Sequence, residues 1–269
     1  MPKGVLDMQN DQAPGFFGKV PAVGDFVSRR LPRNFLDPWD QWLQSAIITS
    51  QAQLAESWLE HYLSSPIWRF ALSAEVAGPY PCGGIMMPSV DKSGRYFPLT
   101  VVTFFPLHTN IFQIACTPQA WFEAAESAVL AVLEEPPPDM ESWDKRIAAL
   151  GIMHKDSMEQ KESIPLENKE VDFKPWHLSI RSVTAIGEVL PELIKQLVEV
   201  QHHSYSLWWS SGSEQIGAAL LMSTGFPSPA GFAAMLTGDW KQHGWYDLSV
   251  IANQTENMAI SQTQLTDEC

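Results

Sequence analysis

The sequence predicts an α/β (α+β) fold in which a central, mostly antiparallel or mixed sheet carries helices packed on its faces. Three observations predict it. Strand-like runs follow one another through short Gly, Pro and Asp turns between residues 68 and 105, which favours antiparallel pairing over a doubly wound parallel sheet. Apolar residues recur at helical spacing on both sides of those runs. Neither half of the chain alone has enough strands to cover its helices, so both halves are expected to build one sheet.

Each element has its own signal. Residues 1–14 are polar and read as a flexible N-terminus. Gly15, Gly18 and Gly24 mark tight turns or close backbone approaches, with Phe16, Val20, Phe26 and Val27 as anchors in a core. Asp37 before Pro38 is an N-cap acceptor ahead of a first-turn proline, and Leu43, Ile47, Leu54, Trp58 and Tyr62 follow on one face, predicting a helix from Pro38 to Leu63. On that helix Trp39 and Trp42 read as core anchors. Ser65-Pro66 ends it.

Trp68–Val76, Ile85–Met87 and Tyr96–Phe105 then predict a three-stranded meander, with Asp91-Lys92-Ser93-Gly94 as its second turn. Thr117-Pro118 opens another helix that runs to about Glu135, where consecutive prolines stop it. From 134 to about 172 the chain reads as an acidic, Pro-rich insertion, semi-flexible, with one short helix near Trp143–Leu150. Strands at Trp176–Val183, Tyr205–Trp209 and Ala218–Ser223, a helix at Val189–Val200 and a short helix at Phe232–Leu236 complete a single domain over 15–250. Residues 251–269 read as a frayed tail.

Composition bounds the function. With 269 residues, 45% hydrophobic, 11 Trp and 13 Phe, the chain can bury a sizeable core. The net charge of -14 argues against nucleic acid and anionic membrane as partners, both of which require clustered cations. The local basic cluster is Arg29, Arg30 and Arg33. Cys82, Cys116 and Cys269 are odd in number and lack paired spacing, which argues against a disulfide framework or a zinc site. No window has the apolar length of a membrane span, and the first residues lack the apolar core of a signal peptide, so a cytoplasmic location without membrane insertion is expected.

Gly15-x-x-Gly18-Lys19 hints at a phosphate loop, but a Walker A loop needs a longer glycine span and a Ser or Thr after the lysine, and here Val20 follows. Ser89, Asp91, Lys92, Ser93 and Arg95 share one turn. A nucleophilic serine needs a neighbouring base, for which only Lys92 offers itself; the plainer reading has Asp91 accepting N–H bonds within its own turn and Arg95 pairing with a carboxylate. His202-His203 on a helix point about 100° apart and do not face one metal readily. No catalytic residue, cofactor or metal is expected.

Two signatures carry a family resemblance. The first is Gly15-x-x-Gly18-Lys19-x-Pro21-x-x-Gly24-Asp25-Phe26, continued by Arg29-Arg30-Leu31-Pro32 and Pro38-Trp39-Asp40-x-Trp42-Leu43-Gln44. The second is Met87-Pro88-Ser89-Val90-Asp91-x-x-Gly94-Arg95-Tyr96-Phe97-Pro98-Leu99-Thr100. Together they resemble the TagF family associated with bacterial type VI secretion. Trp208-Trp209, Gly225-Phe226-Pro227 and Phe232–Leu236 resemble its later segments. The resemblance implies a non-enzymatic cytoplasmic regulator, a post-translational repressor that binds a forkhead-associated scaffold protein. The expected docking ridge combines the Gly15–Arg33 turns with the Asp91–Arg95 hairpin, its candidate contacts being Lys19, Arg29, Arg30, Arg33, Lys92 and Arg95. The alternatives are a small hydrolase using Ser89 or Ser93 with Lys92, a phosphate-handling enzyme using Lys19, and a structural accessory of the secretion apparatus.

Overall fold

In a computed structural model, residues 13–116, 119–134, 136–153 and 186–246 are described. Seven strands form one wholly antiparallel sheet: β1 (Gly15–Gly18), β2 (Val27–Arg29), β3 (Trp68–Leu72), β4 (Cys82–Met87), β5 (Leu99–Phe104), β6 (Tyr205–Ser210) and β7 (Ala219–Thr224), in the order β2-β1-β5-β4-β3-β6-β7. The predicted meander is its centre. Both halves of the chain contribute, because β6 pairs with β3 in the register Phe70↔Trp208.

Alternation along β3 sorts the two cores. Trp68, Phe70 and Leu72 point to one face, Ala71 to the other, as a pleat of period two requires. The first face is covered by α1 (Arg33–Leu54), α2 (Trp58–Ser64) and α7 (Phe232–Thr237), which contribute Trp39, Trp42, Tyr62 and Phe232. The second is covered by α3 (Ile111–Cys116), α4 (Ala120–Leu130) and α5 (Met140–Ala148), and the partly buried Ile194 and Val198 of α6 (Ile186–Gln201) pack there too. The layers are therefore helix, sheet, helix.

Several boundaries differ from the sequence reading. The first helix begins at Arg33, not at Pro38: Phe35 and Leu36 both donate to the Pro32 carbonyl, and the buried Phe35 stacks on Trp39 at 5.3 Å, which draws an extra turn into the helix. Pro38 consequently lies inside it. Nor does the helix run on to Leu63. Ala55, with φ 46°, ends α1, and a 3-10 turn over Ala55–Ser57 redirects the chain into α2 while the Trp58 indole bonds to Ser50 Oγ.

The glycine-flanked opening is a strand pair where turns were expected, with β1 held between β2 and β5. A further helix, α3, precedes the one expected after Thr117. Thr117-Pro118, the Trp176–Val183 segment and both termini lie outside the described residues. Within the acidic stretch α5 is capped by Asp139, which accepts from Glu141 and Ser142 N–H, and its Trp143 is buried edge-on against Phe16 at 4.6 Å.

Candidate functional site

The two signatures meet at one end of the sheet. Gly18, at φ 140°, passes so close to the Pro98 carbonyl that any side chain there would collide with it. Beyond it Val20, Pro21, Ala22 and Val23 form a β-turn closed by Val23 N–H donating to Val20 O at 3.1 Å, with Pro21 at the position where its fixed φ fits. The second signature makes its own turn. Gly94 N–H donates to Asp91 O, Gly94 supplies the positive φ, and Val90 bridges to Tyr96. Lys92 N–H donates to Val23 O at 3.1 Å and Arg95 Nη2 donates to Gly24 O, joining one turn to the other.

Asp91 is the hub. Its Oδ2 accepts from Lys19 Nζ at 2.5 Å and from Arg95 Nε at 2.7 Å, while Oδ1 accepts the N–H groups of Ser93 and Arg95. Burial by itself pushes this carboxyl up, but the bonds from Lys19, Arg95 and Ser93 outweigh it and hold the group well below the usual carboxylate range. Ser89 is 2% exposed, and its hydroxyl donates to Lys19 O at 2.7 Å. Tyr62 of α2 closes the floor against the Ser89 backbone.

These contacts sort the candidate residues. Lys19, 4% exposed and spent on Asp91, is an internal group, which corrects its reading as a partner contact. Arg30 is tied down as well, by Asp144 Oδ1 at 2.6 Å and the Pro14 carbonyl, and lies over the Phe16 ring. Arg29, Arg33 and Lys92 are exposed. Arg95 bonds inward, yet its side chain remains 58% exposed.

Phe26 is not the core anchor expected of it. It is 43% exposed, stacked on Phe17 at 5.4 Å and edge-on to Phe97 at 4.9 Å, with Lys19 Nζ 5.0 Å from its ring centre. Gly24 needs neither a positive φ nor a close approach, since a Cβ there would meet only Ser93 Oγ at 3.9 Å; its carbonyl is what Arg95 uses. Asp25 is exposed and accepts the Phe26 N–H. Trp39 and Trp42 lie in the core, where their indoles donate to Thr100 Oγ1 and the Pro227 carbonyl.

Sequence reasoning missed a second ion pair beneath the other face. Arg69 of β3, 7% exposed, grips Glu126 through Nε and Nη2, and its Nη1 reaches Gln119, which also accepts from the Trp209 indole. An odd polar residue in the apolar run Trp68–Leu72 was the available signal. A cleft of about 740 Å³ lies apart from the signatures, between α6 and β7, with Leu190, Ile194, Leu207, Leu221 and Trp245 on its walls. Among the described residues no group of three or more His, Cys, Asp and Glu is placed to hold a metal, and no helix is long and apolar enough to cross a membrane.

The architecture and the two interlocked signatures define a class, the type VI secretion-associated proteins. Residues 15–150 match the family model described as the TagF N-terminal domain, Type VI secretion system-associated. The chain is also 35% identical to PA0076 from Pseudomonas aeruginosa PAO1, whose crystal structure superposes with a TM-score of 0.68 over 84% of this chain and 95% of that one. No curated protein matches it. This chain belongs to the TagF family.

Proposed function

We propose that this protein is a cytoplasmic, non-enzymatic, post-translational repressor of type VI secretion that acts by binding a forkhead-associated scaffold protein. Family membership supports the pathway. The observation that carries the binding role is the rim itself: the two signatures are locked together from within by the Lys19–Asp91 pair, 72 residues apart in the chain, and leave Phe26, Arg29, Lys92 and part of Arg95 exposed. A rigid, preorganised surface with an exposed aromatic suits recognition, since little conformational freedom is lost on docking.

The enzymatic readings draw less support from the same contacts. The Ser89 hydroxyl is buried and donates to a backbone carbonyl, and the ammonium of Lys19 is held by Asp91 and not open to a phosphate. The test is an affinity capture from native cytoplasmic extract with this chain as bait and mass spectrometry as readout. Recovery of the forkhead-associated scaffold, together with raised secretion when the gene is deleted, is the expected result. Stoichiometric recovery of sheath or baseplate subunits instead would favour a structural accessory.

A further inference from the structure

The cations of this molecule are unevenly placed. Residues 15–33 and 89–98 hold six of its 17 Lys and Arg residues but only two of its 31 Asp and Glu residues, Asp25 and Asp91. Everything else carries 11 bases against 29 acids. Asp91 neutralises part of the cluster from inside, and Asp144 of α5 holds Arg30. Arg29, Arg33 and Lys92 remain exposed and form no ion pair among the described residues. The signature rim is thus the cation-rich part of a strongly acidic protein, and it carries a half-exposed phenylalanine, Phe26.

We infer that this rim docks on an acidic face of the scaffold, with Phe26 as its apolar anchor, at a place other than the scaffold's phosphopeptide-reading site. The inference rests on the repressor reading above. Forkhead-associated domains read phosphorylated motifs with arginine clusters, so their ligand site is itself basic. Two basic surfaces repel, and like-charge juxtaposition excludes a partner more firmly than it tunes one. The charge on the rim therefore selects a carboxylate-rich face, while the acidic remainder of the chain is repelled by it and leaves the rim as the side that approaches. Phe26 is held between Phe17 and Phe97 before binding, which suits it as an anchor. Repressor and phosphopeptide would then occupy the scaffold together.

The experiment is calorimetric titration of the purified scaffold with the full chain, at low and at high salt, with and without a saturating phosphothreonine peptide. Wild-type affinity should fall with salt and be unmoved by the peptide. The double variant Arg29→Glu/Lys92→Glu and the single variant Phe26→Ser should each bind roughly tenfold more weakly or worse. Urea melts confirm that the variants fold, and Phe26→Leu replaces Phe26→Ser if the latter does not. Wild-type binding that all variants match would overturn the rim and leave the repressor reading standing, whereas displacement by the peptide would overturn the choice of face. If the wild type does not bind the scaffold at all, the repressor reading fails and the rim is judged with poly-L-glutamate titrated into isotope-labelled protein by NMR. Shifts confined to the rim and abolished by charge reversal support it; their absence at low salt overturns it.

Discussion

Tyr62 and Ser89 exchange two hydrogen bonds: the phenol donates to the Ser89 carbonyl at 3.0 Å and accepts the Ser89 N–H at 3.0 Å. One buried hydroxyl thereby satisfies the Ser89 N–H, gives the Ser89 carbonyl a second donor beside the Phe97 N–H, and fastens α2 to the floor of the second signature. Burial pushes the phenol pKa well up, keeping the proton that the bond needs. Tyr62→Phe leaves the buried Ser89 N–H unsatisfied while the Ser89 carbonyl keeps its bond from Phe97 N–H, and should cost about 1–3 kcal/mol in urea unfolding. A loss under half a kcal/mol would mean that water replaces the phenol.

Removing Asp91 should hurt more. Asp91→Asn keeps the shape but strips the charge that compensates the buried ammonium of Lys19, and a buried ion left without its partner is more costly than a buried hydrogen bond left unmade. The expected order of stability is wild type, Tyr62→Phe, Asp91→Asn. Adding Lys19→Met to Asp91→Asn should recover part of the loss, a coupling that a double-mutant cycle measures directly. Additive losses would show that the two groups do not depend on each other.

Acidification provides an independent check. A carboxyl held low in the folded state stabilises the protein above its unfolded value, near 3.9, and that contribution drains away as pH falls below it towards the folded value. Urea melts should therefore show the gap between wild type and Asp91→Asn at full width at pH 7 and narrowing from about pH 4 downward. A gap of constant width across that range would deny Asp91 its role as hub.

Trp143→Ala tests whether the acidic stretch belongs to the core. Its ring fills the space against Phe16 and its Nε1 donates to the Ala128 carbonyl at 2.8 Å, so truncation should cost about 3–5 kcal/mol. Because Phe16 sits on β1, the same variant should speed amide exchange in that strand as well as in α5. Fast exchange in α5 alone would show that the helix is an appendage.

The sheet was largely legible from sequence because its central meander and the β6–β7 hairpin are written in local terms, alternation bounded by turn residues. β1 was not. Gly-Phe-Phe-Gly reads as two turns, and pairing with β2 on one side and with Val101 and Thr100 of β5 on the other makes it a strand. The start of α1 misled for a similar reason, since the Asp37-Pro38 signal is strong locally but the burial of Phe35 overrides it. Within the site, the turn chemistry of Asp91 could be read from Asp-x-x-Gly, whereas its bond to Lys19 spans 72 residues and leaves no local trace. The exposure of Phe26 was equally hidden, because an aromatic between Asp25 and Val27 looks like core until the neighbouring turn is seen.

β3 has its second neighbour far along the chain: Arg69 lies opposite Trp209. At bacterial translation rates of about 20 residues per second, the roughly 140 residues between them take several seconds to emerge, and through that interval the middle of the sheet presents a bare hydrogen-bonding edge beside the uncovered face of Phe70. The stretch matched by the family model stops well short of β6, so a fragment cut at residue 150 would keep that edge for good. Such a piece would be apt to add strands from its own copies. Anyone preparing the N-terminal region alone for partner mapping should expect aggregates, and a nascent chain paused before Tyr205 is a substrate for chaperones.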